Sequence, residues 1–186
     1  MYSINFLRRV DASAGFFLGR LAGLFRRRRR GNVAPAPGSS PRILCVKCWG
    51  IGSILLISPT LRAIKGRWPR AWIDFLTLPE TAEACRLIPE IDRVVTVDLR
   101  RPSFPLAVLK LFAAVRAARY DLVIDFEFSS NFTALVAFSS GSPSIGFTSL
   151  KPERDALYDV GVVFDHSLHA RDCFGRIAAF LGCAEA

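Results

Sequence analysis

The chain has 186 residues, 51% of them apolar, which is enough for one domain with a real core and too apolar for disorder over most of its length. Its net charge of +9 is unevenly placed: residues 1–42 carry nine arginines and one acid, Asp11, whereas the remainder holds 16 basic and 15 acidic residues. The basicity belongs to a tail, and the near-neutral globular part argues against a nucleic-acid partner.

Residues 1–30 form a basic amphipathic leader. Leu7, Val10, Ala14, Phe17, Leu18, Leu21, Leu24 and Phe25 recur at steps of mostly three and four, which predicts one apolar helical stripe. Arg20 interrupts it, and no apolar run approaches the length of about 18 residues that a membrane span requires. A signal peptide puts its charge before its apolar core, whereas Arg26, Arg27, Arg28, Arg29 and Arg30 follow it here. A membrane-surface helix fits best: Phe17 and Leu21 enter the acyl boundary and the arginines meet anionic headgroups, at about 1 kcal/mol for each basic residue. A disordered basic leader and an arm that grips nucleic-acid phosphate stay open as readings. Residues 31–41, "GNVAPAPGSSP", read as a flexible linker, and the domain is expected over 42–186.

Within the domain, strands and helices alternate. "RILCVKCW" (42–49) reads as a strand, followed by a helix from near Ser53; "AWIDFLT" (71–77) is a second strand and "PETAEACRLI" a helix. "DRVVTVD" (92–98) is a third strand, 104–120 an amphipathic helix, and "DLVIDFE" (121–127) the most strand-like segment. A helix near 131–139, a strand at 144–147, a looser stretch and a closing helix at 169–182 complete the order. Continuous apolar strands alternating with helices predict a Rossmann-like α/β fold, a parallel sheet sandwiched by helices. Cys45 and Cys48 form a C-x-x-C, but a three-residue offset in a strand points them to opposite faces. With five scattered cysteines and no completing ligands, the prediction is reduced structural thiols and no metal site.

In such sheets ligands bind beyond the carboxyl ends of the strands. Two predicted loops there have suitable chemistry. In the first, Gly50 and Gly52 let a ligand approach the main chain, Ser53 is placed as a helix N-cap, Lys47 adds a positive charge and Trp49 offers a ring to stack on a sugar. The dinucleotide fingerprint G-x-G-x-x-G fails, because its third glycine is Leu55 and Asp74 lies inside "WIDFL" instead of at the strand end. A Walker loop fails for want of G-K-[ST]. In the second loop, Glu127 ends its strand, and Ser129, Ser130 and Asn131 either hydrogen-bond sugar hydroxyls or cap the next helix. Arg100 and Arg101, after the third strand, are candidates for acceptor phosphates or a solvated loop pair; His166 and His169 read as capping or exposed groups.

The order of these segments resembles glycosyltransferase family 9, the lipopolysaccharide heptosyltransferases and their relatives. The resemblance rests on "RILCVKCWGIGSILLISPTLRAIKGRWPRAWIDFLT", "PEIDRVVTVD", "ARYDLVIDFEFSSNFTALVAFSSGSPSIGF" and "HARDCFGRIAAFLG", over about residues 42–183. It implies the amino-terminal half of a GT-B fold, the side that receives a glycolipid or lipopolysaccharide-type acceptor. A second domain would hold the nucleotide-sugar donor, and transfer would invert the anomeric centre without metal or cofactor. Two departures follow. Many members of the family carry aspartate after the second glycine as the base for the acceptor hydroxyl; that position is Ser53 here, a departure or a trait of a subgroup that reads "WGIGS", and because a lone serine takes no proton usefully near neutral pH, Glu127 is then the candidate base. The sequence also stops where the donor domain would begin, so the expectation is an acceptor-binding domain that is incomplete as a transferase. Its expected place is the cytoplasm, peripheral on the inner face of the cytoplasmic membrane. The competing function is a membrane-tethered glycan-binding module without catalysis.

Overall fold

A computed structural model describes Asp11, Ser13, Phe17, Arg20 and Leu21 of the leader, residues 33–148 and residues 152–184. Six strands, β1 (Arg42–Val46), β2 (Trp72–Thr77), β3 (Arg93–Thr96), β4 (Leu122–Asp125), β5 (Ser144–Thr148) and β6 (Val160–Val163), pair side by side in the order β3-β2-β1-β4-β5-β6. All five pairings are parallel. The helices are α1 (Ile51–Arg67), α2 (Ala82–Arg86), α3 (Phe104–Ala118), α4 (Asn131–Ser140), α5 (Pro152–Asp155) and α6 (Ala170–Phe180).

Alternation along β1 explains the layering. Ile43 and Cys45 join Ile73, Phe75, Leu122 and Ile124 on one face, beneath Ile54, Ile57, Leu61 and Ile64 of α1 and Phe174 and Ile177 of α6. Leu44 and Val46 take the other face with Leu76 and Val123, beneath Leu111 and Val115 of α3 and Ala134 and Ala137 of α4. Cys45 and Cys48 fall in these opposite cores, as a three-residue offset requires, and both are buried free thiols. Burial, before the neighbouring acids Glu127 and Asp125, pushes the Cys48 thiol well above its ordinary value, which keeps it an inert thiol.

The segment read as a linker touches the domain at two points, and two other expectations need correction. Val33 is only 4% exposed, and the buried Trp68 donates its indole N–H to Ala36 O at 3.1 Å. The stretch read as loose carries α5 and the edge strand β6. Helix α1 starts at Ile51, with Gly50 as its N-cap at φ 86° and no side-chain cap, so Ser53 lies inside the first turn instead of capping it. A side chain at Gly50 would be strained by that φ and would meet Ser53 Oγ at 3.1 Å, so glycine sets where the helix begins.

Candidate functional site

The strand order reverses direction between β1 and β4, which pair directly. Loops leaving the carboxyl ends of two such strands diverge to opposite faces and open a crevice. Here they are residues 47–50 after β1 and residues 126–130 after β4.

Glu127 ties these two loops together. Its Oε1 accepts from the backbone N–H of Cys48 at 3.0 Å and of Trp49 at 2.9 Å. Its Oε2 lies 3.0 Å from Lys47 Nζ, and both side chains are buried. Lys47 Nζ also sits 5.7 Å above the Phe128 ring. The cation expected to face a ligand is therefore spent inside the protein, and the candidate base has both oxygens engaged. What the pair accomplishes is geometric: it holds the glycine turn in register with the β4 loop.

Below that clamp lies a side chain that sequence reading missed. Arg154 of α5 is fully buried. Its Nε donates to Ser130 O at 3.0 Å, its two terminal nitrogens donate to Phe147 O and Glu127 O, and Nη2 lies 3.5 Å from Asp125 Oδ2. Asp125 accepts from the Tyr158 hydroxyl at 2.6 Å and from the Glu127 N–H at 2.8 Å. Burial raises the Asp125 carboxyl, and Arg154 followed by these hydrogen bonds opposes the rise. Burial also raises the Tyr158 hydroxyl, which stays protonated as the donor. One guanidinium thus gathers the carboxyl ends of β4 and β5.

The remaining predicted residues divide. Trp49 on the first crevice loop is partly buried and Ser129 on the second is exposed, while Gly50 and Gly52 present backbone to solvent. Ser130 is buried and caps α4, accepting from Thr133 N–H at 3.5 Å, so of its two readings the cap is the one seen. Asn131 is buried in the first turn of α4. Arg100 pairs with Glu80 at 2.7 Å and Arg101 with Asp98 at 2.9 Å, beyond β3 and two strands from the crevice. His169 caps α6, its Nδ1 accepting from Arg171 N–H at 3.3 Å. Phe128 stacks on Phe164 at 4.4 Å with His166 at the edge of both rings, an aromatic wall that the sequence pattern did not reveal. A separate cavity of about 380 Å³ lies between α1 and α6, lined by Pro59, Thr60, Ala63 and Arg176 among others; it includes no residue of the two crevice loops.

The leader reaches the first turn of α4. Asp11, helical in conformation, accepts from the backbone N–H of Asn131 at 3.1 Å and of Phe132 at 2.6 Å, and its own carbonyl accepts from Asn131 Nδ2 at 3.0 Å. Phe17 and Leu21, four residues apart, are 70% and 55% exposed. Arg26, Arg27, Arg28, Arg29 and Arg30 lie outside the described residues. No helix among the described residues is long and apolar enough to cross a membrane.

No protein-family profile matches the chain, and neither does any curated protein. Solved structures do. The E. coli heptosyltransferase WaaC with ADP-2-deoxy-2-fluoro heptose superposes with a TM-score of 0.69 at 22% identity, over 78% of this chain and 50% of that one. The glycosyl transferase family 9 protein of Veillonella parvula gives 0.67 at 18% identity, over 83% of this chain and 44% of that one. The E. coli ADP-heptose lps heptosyltransferase II gives 0.58 at 19%, over 74% and 40%. The chain spans at most about half the length of these transferases. Its backbone has the Rossmann-like fold of the family 9 heptosyltransferases over that shared length.

Proposed function

We propose that this chain is the amino-terminal, acceptor-side unit of a family 9 glycosyltransferase of GT-B type, receiving a glycolipid or lipopolysaccharide-type acceptor in the β1/β4 crevice. The observation that carries this reading is the crevice itself, opened at the switch point and held by Glu127 across both loops. The fold it shares with heptosyltransferases supports the same reading. Trp49 supplies a ring face for a sugar, and the Gly50–Gly52 backbone and Ser129 supply hydrogen-bonding groups at the mouth.

In the reaction proposed, an acceptor hydroxyl attacks the anomeric carbon of a nucleotide-sugar held by a second unit. The new C–O bond forms as the bond to the nucleotide diphosphate breaks, with inversion, and the hydroxyl proton passes to a base. Ser53 stands where many members of the family carry aspartate, and a serine alone is a poor proton acceptor. Glu127, the candidate base, would have to leave Lys47 and two N–H groups to serve. Glu127 is therefore assigned as a positioning residue, and this chain's contribution is to bind and orient the acceptor.

Titration of the full chain with detergent-dispersed lipopolysaccharide tests this. Saturable binding is expected, weakened about tenfold by Trp49→Ala, as loss of one stacked ring implies, and unchanged by Lys110→Ala on α3. Absence of binding, or binding indifferent to Trp49, would sink the acceptor reading.

The leader's exposed Phe17 and Leu21 suit the inner face of a cytoplasmic membrane, where such an acceptor would be met. Flotation with anionic phosphatidylglycerol vesicles should carry the wild-type chain and leave Phe17→Asp/Leu21→Asp behind. Equal flotation of both, or none of the wild type, would remove the membrane from the proposal.

A further inference from the structure

The transfer proposed above needs a proton acceptor, and neither residue expected in that role is fitted to it. Ser53 is a poor acceptor, and Glu127 has both oxygens engaged. Other titratable side chains stand on the loops at the carboxyl edge of the sheet. Asp98 is paired with Arg101, Asp165 accepts from the Ser167 N–H and hydroxyl and from Arg176, and His169 caps α6. His166, in the loop between β6 and α6, differs from these. It is exposed, and its ring nitrogens make no hydrogen bond among the described residues. The ring itself is held in place. It lies edge-on to Phe128 at 5.9 Å and against Phe164 at 5.0 Å, and those two rings stack on each other at 4.4 Å. Phe128 belongs to the second crevice loop, and its ring also meets Lys47 Nζ at 5.7 Å. The imidazole is thus fixed to the crevice wall through ring contacts that leave its nitrogens to a ligand.

We propose that His166 is the proton acceptor of the crevice: a ring nitrogen accepts a hydrogen bond from the acceptor hydroxyl and takes its proton during transfer. This assignment rests on the acceptor reading above and goes beyond it by naming the group that activates the acceptor. Imidazole suits the role because it exchanges its proton near neutral pH, as a serine hydroxyl does not. The hydroxyl oxygen forms its bond to the anomeric carbon as the bond from that carbon to the nucleotide diphosphate breaks. The diphosphate leaves with the electron pair, and the hydroxyl proton ends on the imidazole, which returns it to water. Two charge pairs flank the ring, Lys47 with Glu127 across Phe128 and Asp165 with Arg176 beside β6, and both are matched within the protein. Helix α6 opens with Arg171 and Asp172, one charge of each sign.

The chain contains two histidines, so the imidazole C–H resonances of His166 can be followed with His169 as an internal control. The probe is the deacylated, dephosphorylated core oligosaccharide of lipopolysaccharide, which offers sugar hydroxyls without phosphate. At saturation it should shift the His166 resonances, leave those of His169 in place, and lower the pH midpoint of the His166 titration, because a hydroxyl donates only to the neutral ring. A raised midpoint would show an imidazolium holding an anionic group and would overturn the assignment. His166→Phe keeps the ring packing and removes the nitrogens. It should weaken oligosaccharide binding about fivefold at pH 8, as loss of one hydrogen bond implies, and leave binding at pH 5 equal to wild type. Equal affinities at pH 8 would overturn the assignment, as would the same loss at both pH values, which is what a merely structural role would give. Should His166→Phe fail to fold, the direction of the wild-type midpoint still decides. Oligosaccharide binding with unmoved His166 resonances would remove His166 alone, and absence of any binding would remove the acceptor reading as well.

Discussion

Arg154→Met is expected to destabilise the protein by about 3–5 kcal/mol, the scale seen when one partner of a buried charge pair is removed. The methionine fills much of the same volume, so the loss is electrostatic and not a cavity. Asp125 keeps its Tyr158 and backbone donors but loses its counter-charge. The carbonyl oxygens of Ser130, Phe147 and Glu127 lose a donor in a place where water does not replace it. Thermal unfolding should fall by roughly 10 °C for a chain of this size. The double variant Arg154→Met/Asp125→Asn should recover part of the loss, because it removes the stranded charge. A single-variant cost below about 1 kcal/mol would mean that the guanidinium is not what holds these strand ends.

The second large effect is expected at the Lys47–Glu127 pair. Glu127→Ala leaves a buried ammonium and two unanswered N–H groups at Cys48 and Trp49, at a cost of about 3–5 kcal/mol. Lys47→Met leaves the carboxylate with its two N–H donors and should cost less. In Glu127→Gln, alone or with Lys47→Met, the amide oxygen can still accept from the turn, and the losses of Lys47→Met and Glu127→Gln should sum to more than the loss of the double variant by over about 1 kcal/mol. Urea denaturation of the four proteins measures that coupling; additivity within about 0.5 kcal/mol would show that the two charges do not act together. Because Glu127 anchors the N–H of Trp49, its loss should also abolish the lipopolysaccharide binding proposed above. Retained binding would separate the clamp from the acceptor site.

Much of the fold was legible from local pattern. The apolar runs of β1, β2 and β4 are strong because each is buried by elements that every parallel sandwich supplies, whereas α3 packs through Leu111 and Val115 and leaves Leu106 and Leu109 exposed. Strand β6 escaped notice for the opposite reason. "VGVV" is an edge strand, alternately exposed, and a glycine breaks its β pattern. The position of both crevice loops was also legible, since ligand loops follow strand ends in this architecture. What each loop residue does there was not. Lys47 and Glu127 both read as groups for a ligand; the structure turns them toward one another.

The alternation of elements, the two faces of the sheet, the basic leader and the glycine turn are written in local pattern, because they depend on periodicity and on backbone freedom within a few residues. Which charges meet is set by the folded chain. Asp11 with the first turn of α4, Lys47 with Glu127, and Arg154 with Asp125 are separated by 120, 80 and 29 residues along the chain. Each pairing is forced by burial, which makes an unmatched polar group too costly to leave, and a linear pattern carries no record of which distant partner will satisfy it.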